Sequence, residues 1–318
     1  MKRLAITTIL ACILASASLA GAQTLQTLYA FVSPNGCNPQ TPLTVGPDGN
    51  FYGTTTIGGT NGGSGTIFQV TTNGVLTSLF QFSVTNGSIP AAALTLANDG
   101  CLYGTTEYGG SYGDGTIFKI TTGGTFTLLD SFNATNGAYP TTSLTLAPNG
   151  SLYGTTVYGG AGYGVVFNVT TNGVLTKLAS FTSAYQSSSG TQNKSALIFG
   201  TDGALYGTTA YGGTAGEGQV FRVTTTGTLS IFVSQLNFFS EGNANAPGLT
   251  LGKDGNFYGI LCYGGAGGYG SIYKITSVGT LSTIYTFPWA SSGYYYINGC
   301  NPLGSLIAVK DGYLYGTA

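Results

Sequence analysis

"LYGTTEYGGSYGDGTIFKITTGG", residues Leu102 to Gly124, is the stretch on which the fold turns. Its Gly-Gly doublet invites reading as a ligand loop, yet near-copies recur along the whole chain. The tripeptide [LF]YG stands at Tyr52, Tyr103, Tyr153, Tyr206, Tyr258 and Tyr315, at intervals of 50 to 57 residues. That period is too long for a β-helix rung and suits one four-stranded propeller blade. Each unit divides into four short runs. The first alternates, as in "AAALTLA" (Ala91–Ala97), and ends in a turn such as "PDG", "NDG" or "PNG". The second is "LYGTT", the third "GTIFKIT" (Gly115–Thr121), and the fourth resembles "VLTSLFQF" (Val75–Phe82). Asp-Gly and Asn-Gly between strand-like runs mark tight hairpins, because both central residues need positive φ. The expectation is an all-β propeller of about six blades, each a four-stranded antiparallel meander.

Repeats fall near residues 42–89, 90–139, 140–193, 194–246 and 247–301, with a partial one at 302–318. No composition break separates them, so 23–318 reads as one domain. The fourth run appears once before any first run, at Leu25–Phe31. Such an N-terminal strand closes a propeller ring by completing the last blade. That last blade lacks a third run, which reads as a gene product truncated at its C-terminus.

The first 22 residues read as a signal peptide: Lys2 and Arg3, then apolar Leu4 to Ala15, then Ala20-Gly21-Ala22 before a mature start at Gln23. The protein is expected in the periplasm, at the cell surface or outside the cell. No later stretch has the 18 or so apolar residues of a membrane helix.

Composition narrows the chemistry. Charged residues make up 6% of the chain and the net charge is −1, too little for a nucleic-acid footprint. With no histidine there is no Ser-His-Asp or Cys-His nucleophile and no His-ligated metal site. No phosphate loop is read in "YGG", since no helix follows to offer its N-terminus. Neither a cofactor nor a metal is expected. Cys37 and Cys300 lie in near-copies, "NGCNPQTPL" and "NGCNPLGSL", and are a candidate disulfide between first and last blades.

The recurring "LYGTT.YGG..G.GTIFKIT..G" resembles the GloVer tandem repeat, found in exported bacterial proteins that end in alternative surface-anchoring segments. The likeness spans the mature chain. It implies export and surface attachment, and no enzymatic mechanism. Two departures stand out: no recognisable C-terminal anchor, and "FYGILCYGG" in the fifth copy. The Gly-Gly doublet is also loosely similar to kelch repeats, in architecture only.

In a meander blade the "DG" turns fall on one face, while the "YGG" loops and inter-blade connections share the other, where function is expected. Five of the ten carboxylates sit in "DG" turns. Of the rest, Glu107, Asp114 and Glu217 are the candidates for catalysis, a glycosidase needing two such groups about one bond. Tyr112, Tyr163, Tyr269, Trp289, Tyr294, Tyr295 and Tyr296 are the candidate ligand-binding aromatics, suited to stacking on sugar rings. The same residues can instead pad loops between blades. The reading that emerges is a monomeric, non-catalytic binding or structural module whose partner is a polysaccharide, a glycan or a surface protein. The alternative is a carboxylate-dependent polysaccharide hydrolase or lyase.

Overall fold

A computed structural model describes residues 27–32, 35–182, 195–210, 212, 218–234, 236, 248–262, 269–287, 302 and 304–317. Among these the chain is all β. The first blade comprises β1 (Thr44–Val45), β2 (Phe51–Thr55), β3 (Thr66–Val70) and β4 (Leu76–Gln81). The second comprises β5 (Thr95–Leu96), β6 (Leu102–Thr106), β7 (Thr116–Ile120) and β8 (Phe126–Ser131). Then come β9 (Thr145–Leu146), β10 (Leu152–Thr155), β11 (Val165–Val169) and β12 (Leu175–Ser180), followed by β13 (Ile198–Phe199), β14 (Leu205–Thr209), β15 (Gln219–Val223) and β16 (Leu229–Val233). The fifth blade has β17 (Thr250–Leu251), β18 (Phe257–Leu261), β19 (Ser271–Ile275) and β20 (Leu281–Thr286), and the sixth has β21 (Ile307–Ala308) and β22 (Leu314–Tyr315). Five sheets are four-stranded antiparallel meanders in sequence order, and the sixth has two strands. The structure is the expected propeller.

The innermost strands are shorter than the alternating runs suggest. Of "AAALTLA" only Thr95 and Leu96 pair as a strand, and residues 91–93 line a central cavity. Neighbouring innermost strands are joined by side chains. Thr44, Thr95, Thr145 and Thr250 each donate a hydroxyl hydrogen bond of 2.5 to 2.7 Å to the carbonyl of Leu94, Leu144, Leu197 or Leu306 in the following blade. Ile198, at the same position in the fourth blade, has no hydroxyl to give.

Hydrophobic residues are buried between blades. Phe82 and Phe132, just after β4 and β8, pack edge-on against Phe118 and Phe167 of the next blade at 5.2 and 5.0 Å. In every four-stranded sheet the ladder of the third and fourth strands slips at one residue, for instance between Ile117 and Phe118 opposite Asp130 and Leu128. The bulged residue Leu129 meets the turn of the following blade at Gly173. This β-bulge bends the outer strand toward its neighbour.

Residues 27–32 occupy a fourth-strand place against the first blade. Leu28 lies on Gly74 as Leu129 lies on Gly173, and Phe31 packs on Phe68 at 4.9 Å. They form no strand, however. The expected closure by a paired N-terminal strand is therefore not made among the described residues. A fourth strand needs a third to pair with, and the sixth sheet has only β21 and β22.

Candidate functional site: the axial mouth

Equivalent segments of all six blades, residues 40–42, 91–93, 141–143, 195–198, 248–250 and 305–306, enclose a cavity of about 1130 Å³. Its wall is made of small and hydroxylated side chains. Most of these hydroxyls are occupied: Ser143 Oγ accepts from the Ala93 N–H, and Ser195 Oγ accepts from Thr208. The Thr141 hydroxyl, on the same wall, has no hydrogen-bond partner.

The cavity is also lined by Glu107, Tyr108, Tyr139, Val157 and Tyr158, from the "YGG" loops and connections of the second and third blades. Backbone pairing brings these segments together. Ser88 pairs with Tyr108 and Ala138 with Tyr158, so each inter-blade connection is stitched to the next "YGG" loop. The loop is held from below: Thr106 of "LYGTT" bonds the Thr116 hydroxyl at 2.7 Å and donates to the Tyr108 carbonyl at 2.9 Å. Gly109 turns at φ +86°, and a Cβ there would lie 2.5 Å from the Val84 carbonyl and 2.9 Å from Gly87. The "YGG" glycines thus permit a close backbone approach that a side chain would block.

Tyr139 adopts φ +56°, a region that bulky residues rarely enter. Its N–H donates to the Asp114 carbonyl at 2.8 Å. The three rings pack together: Tyr108 and Tyr139 are 5.1 Å apart and tilted, and Tyr139 and Tyr158 are 5.8 Å apart and edge-on. Tyr108 and Tyr158 remain 41% and 43% exposed. The Glu107 carboxylate beside Tyr108, by hydrogen bond and by charge, raises that phenol above its usual pKa.

Of the residues singled out from the sequence, Glu107 lines the cavity and Asp114 does not. Asp114 contributes to the mouth through its carbonyl. Tyr112 projects outward, 66% exposed. Tyr163 packs against the Val166 and Phe181 core between the third and fourth blades. Tyr269 is half-buried just before β19. Glu217, Trp289, Tyr294, Tyr295, Tyr296 and Cys300 lie outside the described residues. Cys37 carries a free thiol. Tyr108, Tyr139 and Tyr158 were not singled out, because two belong to the repeated "YGG" and the third precedes a proline shared by the connections. The signal available was substitution at matched positions. Ile57 stands where the later blades have Tyr108 and Tyr158, and Asn38 and Ile89 stand where Tyr139 does.

The opposite face is built for structure. Each "DG" carboxylate uses both oxygens. In the second blade, Asp99 accepts the Cys101 N–H at 3.1 Å and the Tyr103 hydroxyl at 2.7 Å. Asp48, Asp202, Asp254 and Asp311 repeat this with Tyr52, Tyr206, Tyr258 and Tyr315. Arg222 and Lys274 add ion pairs to Asp202 and Asp254 at 2.7 and 3.1 Å.

Solved structures of similar fold include a virginiamycin B lyase from Staphylococcus aureus (TM-score 0.57, 17% identity, 88% of this chain and 84% of that one). A gluconolactonase from Xanthomonas campestris is also similar (TM-score 0.51, 12% identity, 91% and 85%). So is the extracellular domain of a one component system from B. thetaiotaomicron (TM-score 0.56, 13% identity, 92% of this chain and 33% of that one). At such identities the likeness is one of fold. No curated protein matches in sequence. The sequence itself matches the Gloeobacter/Verrucomicrobia repeat over residues 16–191 and again over 162–318, so the chain belongs to that repeat family.

Proposed function

We propose that the chain is an exported propeller that binds a glycan or polysaccharide at its axial mouth, without turning it over. Export rests on the charged, apolar and small-residue pattern of residues 1–22. The observation that carries the binding reading is the trio Tyr108, Tyr139 and Tyr158 at the mouth of a hydroxyl-walled cavity. Tyrosine rings offer flat apolar faces to sugar C–H groups and carry a polar hydroxyl at one end. The pocket is concave and built by facing elements, as ligand sites are. A hydrolase or lyase would want a second carboxylate near Glu107, and among the described residues Glu107 is the sole acidic side chain lining the cavity.

Glycan-array binding of the mature chain tests the reading, with reducing-end release followed in parallel. Tyr108→Ala and Tyr158→Ala are each expected to weaken binding by about tenfold, with no release by either variant or parent. Steady release by the parent that Glu107→Gln abolishes would establish the enzyme instead.

A further inference from the structure

We propose that the mouth prefers sugars bearing a protonated amine, such as glucosamine units of a deacetylated glycan, over neutral or acidic sugars. This rests on the glycan-binding reading and specifies its ligand class. Three observations converge. First, Glu107 is the only charged side chain among the described cavity-lining residues. Second, no described cation lines the cavity, and five of the six are engaged elsewhere. Arg222 and Lys274 pair with turn aspartates. Lys119 and Lys177 donate to the carbonyls of Thr171 and Thr135, and Lys253 donates to that of Lys310. Among the described residues no cation lines the mouth and no ion pair to Glu107 forms. Third, that carboxylate stands beside Tyr108, whose ring clusters with Tyr139, which in turn packs on Tyr158.

An ammonium group gains from both partners at once. It donates charge-assisted hydrogen bonds to the carboxylate and is attracted to the negative faces of the rings. A carboxylated sugar would meet the like charge of Glu107. A bare divalent cation is a poorer fit, because calcium takes six to eight oxygen ligands and the described lining of this mouth offers one carboxylate. An organic cation with apolar ring faces uses the tyrosines as well as the charge.

Titration calorimetry at about 0.15 M salt, which screens exposed charges beyond roughly 8 Å, reads this directly. The probes are β-1,4-linked hexamers of glucosamine, the same hexamer N-acetylated, and a galacturonic acid hexamer. The glucosamine hexamer is expected to bind about tenfold tighter than its neutral counterpart, and the acidic one weakest. Glu107→Gln should bring the affinities for the first two together. Asp130→Asn, an acid away from the cavity, should leave the preference intact. Equal binding of charged and neutral hexamers by the parent, or a preference that survives Glu107→Gln, overturns the inference and leaves glycan binding standing. Failure of every hexamer and of the glycan array removes both.

Discussion

Tyr273 shows how narrowly a blade is specified at the level of one residue. Its counterparts are Phe68, Phe118, Phe167 and Phe221, whose rings cover the glycine of "LYGTT". A Cβ on Gly104 would lie 2.5 Å from Phe118 Cζ, which explains why this strand position carries glycine despite its cost in a sheet. Tyr273 keeps the ring but adds a hydroxyl that is buried beside Gly259 without a hydrogen-bond partner. Leaving such a group unsatisfied costs about 1–3 kcal/mol, so Tyr273→Phe is expected to stabilise the protein by roughly 1 kcal/mol. Urea denaturation of the two proteins decides this, and a loss of stability would mean that the hydroxyl has a partner.

At the level of elements, the innermost strands are too short to hold a ring by backbone pairing alone. The inter-blade threonines supply part of that cohesion. Thr95→Val preserves shape and removes the hydrogen bond to Leu144, leaving that carbonyl unpaired. The expected loss is about 1 kcal/mol, read from the denaturation midpoint at unchanged slope. An unchanged midpoint would place the cohesion wholly in the aromatic contacts between blades. The tolerance of Ile198 at the matching position agrees with a contribution of that size, since one junction already does without it. The bulge opposite the third strand is a second device of this scale. It turns Leu79, Leu129 and Leu178 toward the next blade, at Gly124, Gly173 and Gly227, and no turn residue or break in the alternation announces it.

For the whole molecule, the Asp–Tyr pairs repeated around one face set the response to pH. Asp48 is held below the usual carboxylate range chiefly by the Tyr52 hydroxyl. Burial alone would raise Asp99 and Asp202, but hydrogen bonds from Tyr103 and Arg222 among others outweigh it and both are lowered. Asp254 is lowered by Asn256 and Tyr258 against a smaller opposing effect of burial. Depressed carboxylates contribute stability that is complete above about pH 4 and is lost as the pH falls through their folded values. The tyrosines shift the other way. Burial and then Asp48 push Tyr52 up to about 12, while burial raises Tyr103 and Tyr273. Their contribution is complete below about pH 10 and fades as the pH climbs toward the folded values. With no histidine in the chain, melting temperature is expected to hold level from about pH 5 to 9 and to fall on both sides. A step near pH 6.5 would contradict this. The repeat, the strand order, the turn positions and the face on which loops gather were all legible in "LYGTTEYGGSYGDGTIFKITTGG" and its copies. Those features depend on local φ preference and on alternation, which neighbouring residues carry by themselves. Tertiary structure alone decided that Tyr108, Tyr139 and Tyr158 share one mouth with Glu107, and that Asp114 serves it only through a carbonyl. It likewise decided that residues 27–32 pack without pairing. Residues 19 to 51 positions apart, in different blades, meet only when blades stack around an axis, and a periodic sequence presents the same letters whether a copy faces the cavity or fills the space between blades.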